Sequence, residues 1–506
     1  MRRTPARWWH APAALLAGAV PAAAFPQPAL WWLAHAALVP WLLVLRAAPG
    51  GRRAAVHGWL GGTGFVLATH HWLAPHLHVF LLPLAALVGL LWAPWGWLAH
   101  RLLAGSPGPR RVLAAVVLLP SGWLAAELVR SWEYAGGPWG MLGASQWQWT
   151  PALRLASLGG VWLVGWLVVA VNVAVTVLAA RSPARGRLVA LAALGCCGLA
   201  ALGAWAWAAP PPARAEARIA VVQPGRLDAA GPRFARGVDL TRELAGRDVD
   251  LVVWAESSVG FDLFSRPGRT AELAALSAEV GAPLLVNVDA RRQGGPGVYK
   301  SSVLLDADGP SGARYDKMRL VPFGEYVPLR SLLGWATRVG DAADVDRRRG
   351  TEPVVLDAGG LRVGPLICFE TAFADMGRHL VREGAQVLVG QSATSSFQDT
   401  WAPAQHASLG ALRAAETGRP MVHATLTGVT AVFGPDGAQT GPRLDRGASA
   451  ARVYPVPLAE GRTVFVRLGA WPVWLSLGAL AAAGAGALAG RTRPRPALRP
   501  RAAPRP

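Results

Sequence analysis

The chain has 506 residues, 52% of them hydrophobic and 16% charged, with 50 Lys and Arg against 30 Asp and Glu for a formal net charge of +20. Soluble domains average about 25% charged residues, so this balance excludes a disordered polymer and disfavours a wholly soluble enzyme. The basic excess points either to nucleic acid or to the cytoplasmic loops of a membrane protein, and the positions of the arginines decide between the two.

Apolar runs cover residues 8–24, 29–46, 54–72, 79–100, 112–129, 154–180 and 187–208, and one more covers 467–489. Most approach the roughly 20 residues that span a bilayer. This predicts a polytopic α-helical membrane domain at 8–208 with seven transmembrane helices, and an eighth helix at 467–489. The first run follows Arg2 and Arg3 and ends in Val20-Pro21-Ala22-Ala23-Ala24, so both a retained span and a cleaved signal peptide fit it.

Alternate loops are basic. Arg2, Arg3 and Arg7 precede the first run, and Arg46, Arg52 and Arg53 follow the second. Arg101, Arg110 and Arg111 follow the fourth, and Arg181, Arg185 and Arg187 the sixth. The loops at 25–28 and 73–78 carry no Arg or Lys, and the one near 130–153 has Arg130 beside Glu127 and Glu133. The positive-inside rule then sets the N-terminus in the cytoplasm and the interval 209–466 outside. The eighth helix returns a Pro/Arg-rich tail, 490–506, to the cytoplasm, where Arg491, Arg493, Arg495, Arg499, Arg501 and Arg505 face anionic lipid. Orientation thus absorbs much of the charge, and no nucleic-acid partner is needed.

Between 216 and 458 short β-branched runs alternate with amphipathic stretches. Strands are expected at 218–223, 250–255, 283–289, 301–305, 353–356, 361–367, 386–389 and 421–424, and helices at 232–245, 270–280, 372–383 and 404–417. Such interleaving argues for a layered α/β domain.

Of three cysteines, Cys196 and Cys197 are neighbours in an apolar run and Cys368 stands alone, so neither a disulfide framework nor a thiolate metal site is legible. Cys368 follows the apolar run 361–367 and precedes Phe369-Glu370-Thr371, where a helix could begin. A thiol at a strand-to-helix turn is exposed and its thiolate favoured by the helix N-terminus; a buried core cysteine is the other reading. Lysine occurs twice, as Lys300 and Lys317. In so arginine-rich a chain a lysine is kept either by chance or because a compact ammonium with an adjustable pKa is needed. Lys300 illustrates chance survival, and Lys300→Arg is expected to change little, which makes it the control for Lys317→Arg. Glu256 ends the apolar run 252–255, where a carboxylate either faces a ligand or caps a helix. A base, a cation and a thiol together suffice for acyl transfer through a thioester.

The order Glu256, Lys317, Cys368 resembles the Glu-Lys-Cys triad of the nitrilase, or carbon–nitrogen hydrolase, superfamily. Joined to the N-terminal and C-terminal spans, it resembles the bacterial apolipoprotein N-acyltransferases, membrane-embedded members of that superfamily. The run Leu320-Val321-Pro322-Phe323-Gly324-Glu325-Tyr326-Val327-Pro328 is close to the family pattern. So are Gln405-His406, the segment 413–420, Ala424-Thr425, the segment 428–431 and Trp471-Pro472. The resemblance implies an αββα sandwich at 216–458 outside the cytoplasm, in the bacterial inner membrane. Glu256 would be the general base, Cys368 the nucleophile and Lys317 the oxyanion cation. Glu325 would be a second active-site carboxylate, with Phe369 and Glu370 supporting. The implied reaction moves an acyl chain from a membrane phospholipid to Cys368 and then to the α-amino group of a lipoprotein's S-diacylglyceryl cysteine. It requires neither metal nor other cofactor, and a monomer is expected. Where the family commonly reads Ser-Asn-Asp-Ala-Trp-Phe, this chain reads Ser392-Ala393-Thr394-Ser395-Ser396-Phe397, which bears on rate or lipid preference.

Other readings remain. His70, His71, His76 and His78 could ligate a metal, although an interfacial loop explains them as well. The 24 tryptophans suit an aromatic belt at the span ends. A membrane-tethered amidase of the same superfamily, or a non-catalytic membrane scaffold, would share most of these features.

Overall fold

A computed structural model describes residues 9–291, 297–334, 343 and 345–492, and every count below refers to those residues. Arg2, Arg3, Arg7 and the arginines from 493 onward lie outside them. The membrane-type helices are α1 (His10–Ala19), α2 (Val39–Ala47), α3 (Gly51–His70), the single turn α4 (Ala74–Leu77), α5 (Leu81–Gly89), α6 (Ala93–Leu103), α7 (Pro109–Arg130), α8 (Thr150–Ala179) and α9 (Ala184–Trp207). Against about eight expected spans, five stretches are long and apolar enough to cross a membrane: Gly51–Leu103, Pro109–Arg130, Thr150–Ala179, Ala184–Trp207 and Trp471–Ala489. Shorter apolar stretches occupy His10–Ala24 and Trp31–Ala47. The first of the five has 53 residues, more than twice what a bilayer needs, and α5 and α6 fold back against α3.

Small residues let these helices approach. A Cβ on Gly18 would lie 2.0 Å from the Gly61 carbonyl oxygen, so α1 and α3 meet at backbone distance, and one on Gly61 would lie 2.0 Å from the ring of Trp41 on α2. The room is filled by indoles: Trp41, Trp92, Trp95 and Trp123 are buried and meet ring to ring at 5.0–6.0 Å. For these four the aromatic-belt expectation is corrected, because the glycine face of α3 admits large rings to the helix core. Asn172 adds polar contacts between helices, donating to the Ala34 carbonyl at 2.7 Å and accepting from the Leu38 amide at 2.8 Å.

The remainder forms two sheets covered by helices. In chain order the elements are β1 (Ala213–Gln223), α10 (Ala230–Arg242), β2 (Leu251–Trp254), α11 (Pro267–Val280), β3 (Leu284–Ala290), β4 (Tyr299–Asp306), β5 (Gly309–Asp316), α12 (Arg330–Leu333), β6 (Leu356–Ala358), β7 (Leu361–Ile367), α13 (Ala374–Arg382), β8 (Val387–Ser392), α14 (Ala402–Thr417), β9 (Met421–Thr425), β10 (Ala431–Phe433), β11 (Ala450–Ala459), α15 (Val464–Leu468) and α16 (Trp471–Thr492). One sheet runs β11-β1-β2-β3-β4-β5 and the other β10-β9-β8-β7-β6. Alternation along β1 shows how they layer: Ala217, Ile219 and Val221 face the second sheet, whereas Ala220 and Val222 face α10 and α11. With α13 and α14 on the far side, this is the expected αββα sandwich.

Expected and observed elements differ at several points. The strand expected at 353–356 lies at Leu356–Ala358, because the Gly359-Gly360 turn, both residues at positive φ, fixes the β6–β7 hairpin. Strands β5, β10 and β11 were not expected. Strand β10 has three residues, β5 is largely polar and β11 carries Pro455 and Pro457, as outer strands tolerate.

The sandwich is docked on the membrane helices through α14, which packs on α8. At that contact α8 is interrupted, with Gly160 at φ +68, so the Val161 amide loses its helical partner and donates instead to Glu416 Oε1 at 2.7 Å. Glu416 in turn pairs with buried Arg413 at 2.8 Å, and Arg413 donates to the Ala372 carbonyl at 2.7 Å. A continuous apolar core joins α13 and α14 to the membrane helices.

Candidate active site

Strand ends assemble the site. Glu256 follows β2, Lys317 is the residue after β5, and Cys368 is the residue after β7. The chain reverses sharply at two of these ends, since Ser257 has φ +57 and Cys368 φ +52, conformations that cost a side-chain-bearing residue of order 1–3 kcal/mol. Cys368 opens a short 3-10 turn, Cys368–Ala372, held by Glu370.

Three of the sequence-predicted residues meet directly. Lys317 is 1% exposed, and its Nζ lies 3.2 Å from Glu256 Oε1 and 2.9 Å from a Glu325 carboxylate oxygen. Glu256 Oε2 accepts from the Ala393 amide at 2.9 Å, and Glu325 Oε2 from the Val321 amide at 2.8 Å, so a backbone donor fixes each carboxylate against the ammonium. Burial alone would lower the Lys317 pKa, but the charges of Glu256 and Glu325 outweigh it and hold it above the ordinary lysine value. The Cys368 thiol is pushed up, first by burial and then by Glu256, with Lys317 opposing. The resting thiol is therefore protonated, and any chemistry through its thiolate would need a base to take that proton.

Glu370 is fully buried and satisfied. Its Oε1 accepts from Tyr315 Oη and the Met318 amide, each at 2.7 Å, and from the Arg319 amide at 3.0 Å. Its Oε2 accepts from the Ile367 amide at 2.8 Å. Glu370 thus ties the segment after Lys317 to the turn before Cys368, while burial raises its pKa. Phe369 packs edge to face on Phe373 with centroids 5.0 Å apart.

Several residues emerge only in three dimensions. His406 Nε2–H donates to the Cys368 carbonyl at 2.9 Å, and burial lowers its pKa to about 4, so the ring is neutral. Gln405 accepts from Trp139 Nε1 at 2.7 Å, which ties a loop of the membrane domain to α14. Sequence marked Gln405-His406 without a role, and nothing local marked Trp139. Gln391 joins the sheets, donating to the Trp254 carbonyl at 2.6 Å and accepting from Ser302 Oγ at 2.5 Å. Lys300 departs most from expectation: it is 7% exposed, not a solvated surface residue, and pairs with Asp289 at 2.7 Å.

The divergent segment after β8 touches the histidine-rich loop. Phe397 lies 4.9 Å from the Trp72 ring and 4.7 Å from His76, and His76 Nε2 bonds the Ser396 carbonyl at 3.0 Å. His71 packs on Trp401 at 4.3 Å. Among the described residues no group of three or more His, Cys, Asp or Glu is placed to hold a metal ion. From this segment the Ala393 backbone amide reaches Glu256, a contact that any residue but proline would supply.

Two layered sheets with a carboxylate, an ammonium and a thiol gathered at their strand ends define a carbon–nitrogen hydrolase, and residues 218–448 match the carbon-nitrogen hydrolase family. Residues 17–174 match the apolipoprotein N-acyltransferase N-terminal domain. The apolipoprotein N-acyltransferase of Azotobacter vinelandii is 34% identical over 474 residues, covering 85% of this chain and 86% of that protein. That of Pseudomonas aeruginosa PAO1 is 32% identical over 455 residues, with 85% and 86% covered. This chain belongs to the apolipoprotein N-acyltransferase family. Among solved structures, Saccharomyces cerevisiae Nit3 of the nitrilase superfamily aligns at 14% identity and a TM-score of 0.37, over 48% of this chain and 90% of that one.

Proposed function

We propose that the protein moves an acyl chain from a membrane phospholipid to the α-amino group of the S-diacylglyceryl cysteine of lipoproteins, through a thioester on Cys368. The observation that carries this reading is Lys317, buried between Glu256 and Glu325 at the strand ends that also bear Cys368, in a sandwich packed on apolar helices. A site fixed against the membrane domain suits two substrates that never leave the bilayer, and favours acyl transfer over hydrolysis of a soluble amide.

In the first step Sγ of Cys368 attacks the ester carbonyl as Glu256 takes the thiol proton, and Lys317 faces the oxygen that becomes negative. Collapse breaks the ester C–O bond, and the proton passes from Glu256 to the departing glycerol oxygen, releasing a lysophospholipid. In the second step the lipoprotein amine attacks the thioester, the new C–N bond replaces C–S, and the amine's proton returns through Glu256 to the sulfur. Glu325 holds Lys317 between two carboxylates, so its ammonium is oriented before charge develops. Glu370 and Phe369 support the segments on either side.

We further propose seven crossings within 8–208, two of them supplied by the folded-back stretch Gly51–Leu103, then an extracytoplasmic domain at 216–458, an eighth crossing at 467–489 and a cytoplasmic tail at 490–506. In this reading α1 is retained, because its removal would uncover the glycine face of α3. The bacterial inner membrane is the expected location and a monomer the working unit. Mass spectrometry of a lipoprotein N-terminus from cells with and without the protein tests the function: loss of the N-acyl mass is expected without it, and an unchanged mass would refute the reading.

A further inference from the structure

Both lysines of this arginine-rich chain meet the same site. Lys317 lies between the two carboxylates, and Lys300, on β4, touches it through both backbone and side chain. The Lys300 carbonyl accepts from the Lys317 amide at 2.8 Å. Its Nζ donates to Ser257 Oγ at 2.5 Å and to Asp289 Oδ1 at 2.7 Å, and Asp289 also pairs with Arg347 at 3.1 Å. Ser257 is the residue directly after Glu256, stands at φ +57, and donates its amide to Asn287 Oδ1 at 3.0 Å.

We propose that Lys300 is a positioning residue for Glu256: its ammonium grips the Ser257 hydroxyl, holds the strained turn after β2, and so aims the carboxylate at the thiol of Cys368. The inference rests on the reading of Glu256 as the base. The turn needs such a grip because its left-handed residue carries a side chain, and an unbraced segment relaxes toward the commoner extended or right-handed conformations. Asp289 fixes the ammonium from the opposite side, and Arg347 fixes Asp289. The geometry also accounts for a lysine here. A compact ammonium reaches a hydroxyl and a carboxylate at once in a buried position, whereas the planar guanidinium is larger and sends its donors along a fixed fork. A purely structural ion pair would need Asp289 alone, and the Ser257 contact would then be incidental.

The test uses the full-length protein in detergent, with Cys196 and Cys197 replaced by alanine so that Cys368 is the one thiol. Lys300→Met, Ser257→Ala and the double variant are compared with the parent at one pH, each rate divided by the folded fraction. Two rates are read: alkylation of Cys368 by iodoacetamide, which needs the base but no acyl donor, and steady-state acyl transfer from phospholipid to a diacylglyceryl peptide, with its kcat and KM. Each single variant is expected to slow both rates about tenfold or more with KM unchanged, since small misplacement of a catalytic group is costly. The double variant is expected to be no slower than the worse single one, because both act through the same contact. Ser257→Ala removes one hydroxyl and keeps the ion pair, so it decides the matter even where Lys300→Met fails to fold. Parental alkylation by Ser257→Ala, or a rise in KM with kcat unchanged, would overturn the proposal. A parent that alkylates normally but takes no acyl group from phospholipid would refute the proposed function while the alkylation rates still decide the role of Lys300.

Discussion

Trp139, in a loop between two membrane helices, donates its indole N–H to Gln405 at 2.7 Å, one residue before the His406 that holds the Cys368 carbonyl. Three side chains therefore link the membrane domain to the backbone of Cys368. Trp139→Phe keeps an aromatic ring but leaves the buried Gln405 oxygen without its donor, a defect of about 1–3 kcal/mol. Acyl transfer by membranes carrying this variant is expected to fall about tenfold at normal protein level. Unchanged activity would mean that the loop merely covers the site.

Lys317→Arg keeps the charge but cannot fit a guanidinium between Glu256 and Glu325 in a position that is 1% exposed. Loss of an oxyanion donor costs on the order of 10²–10³ in rate, and that loss is expected in single-turnover acylation. Lys300→Arg is no neutral control here. The exposed Arg242, paired with Asp239 and Glu279 at the surface, is one, and Arg242→Lys is expected to change stability by less than about 0.5 kcal/mol.

Acid is expected to destabilise the sandwich through its buried histidines. The unfolded chain binds a proton at the ordinary histidine value of 6.5, whereas folded His406, desolvated, does not until about 4. Its stabilisation is complete above pH 6.5 and is lost as pH falls toward 4, a span worth about 3 kcal/mol. His423, buried beside it with ring centroids 4.8 Å apart and its pKa also lowered, acts in the same sense. Denaturant melts between pH 7 and 4 are expected to show this slope, reduced but not abolished in His406→Gln; an unaltered slope would assign it elsewhere.

Topology is open to direct reporters. A fusion after residue 460 is expected to read as extracytoplasmic and one after residue 495 as cytoplasmic. Both on one side would remove the eighth crossing.

The legible parts of this molecule were those encoded locally. Apolar runs marked the helices, the β-branched runs at 218–223 and 361–367 marked strands of opposite sheets, and the order of Glu256, Lys317 and Cys368 marked the site. What escaped depends on distant partners. The polar strand β5 carries no apolar alternation, although Tyr315 at its end bonds Glu370. Lys300 looked dispensable because Ser257 and Asp289 are 43 and 11 residues away in the chain. Trp139 and Gln405 are 266 residues apart, and the tryptophan core of the membrane domain is made possible by glycines on a different helix.

The most direct measurement is intact-mass analysis of Cys368 after incubation of the purified protein with phospholipid and no amine acceptor. One acyl mass on the peptide containing Cys368, released by hydroxylamine and passed on when a diacylglyceryl peptide with a free α-amine is added, is the expected result. Acylation that persists in Cys368→Ala, or lipoprotein N-acylation with no mass ever appearing on this cysteine, would contradict the thioester route.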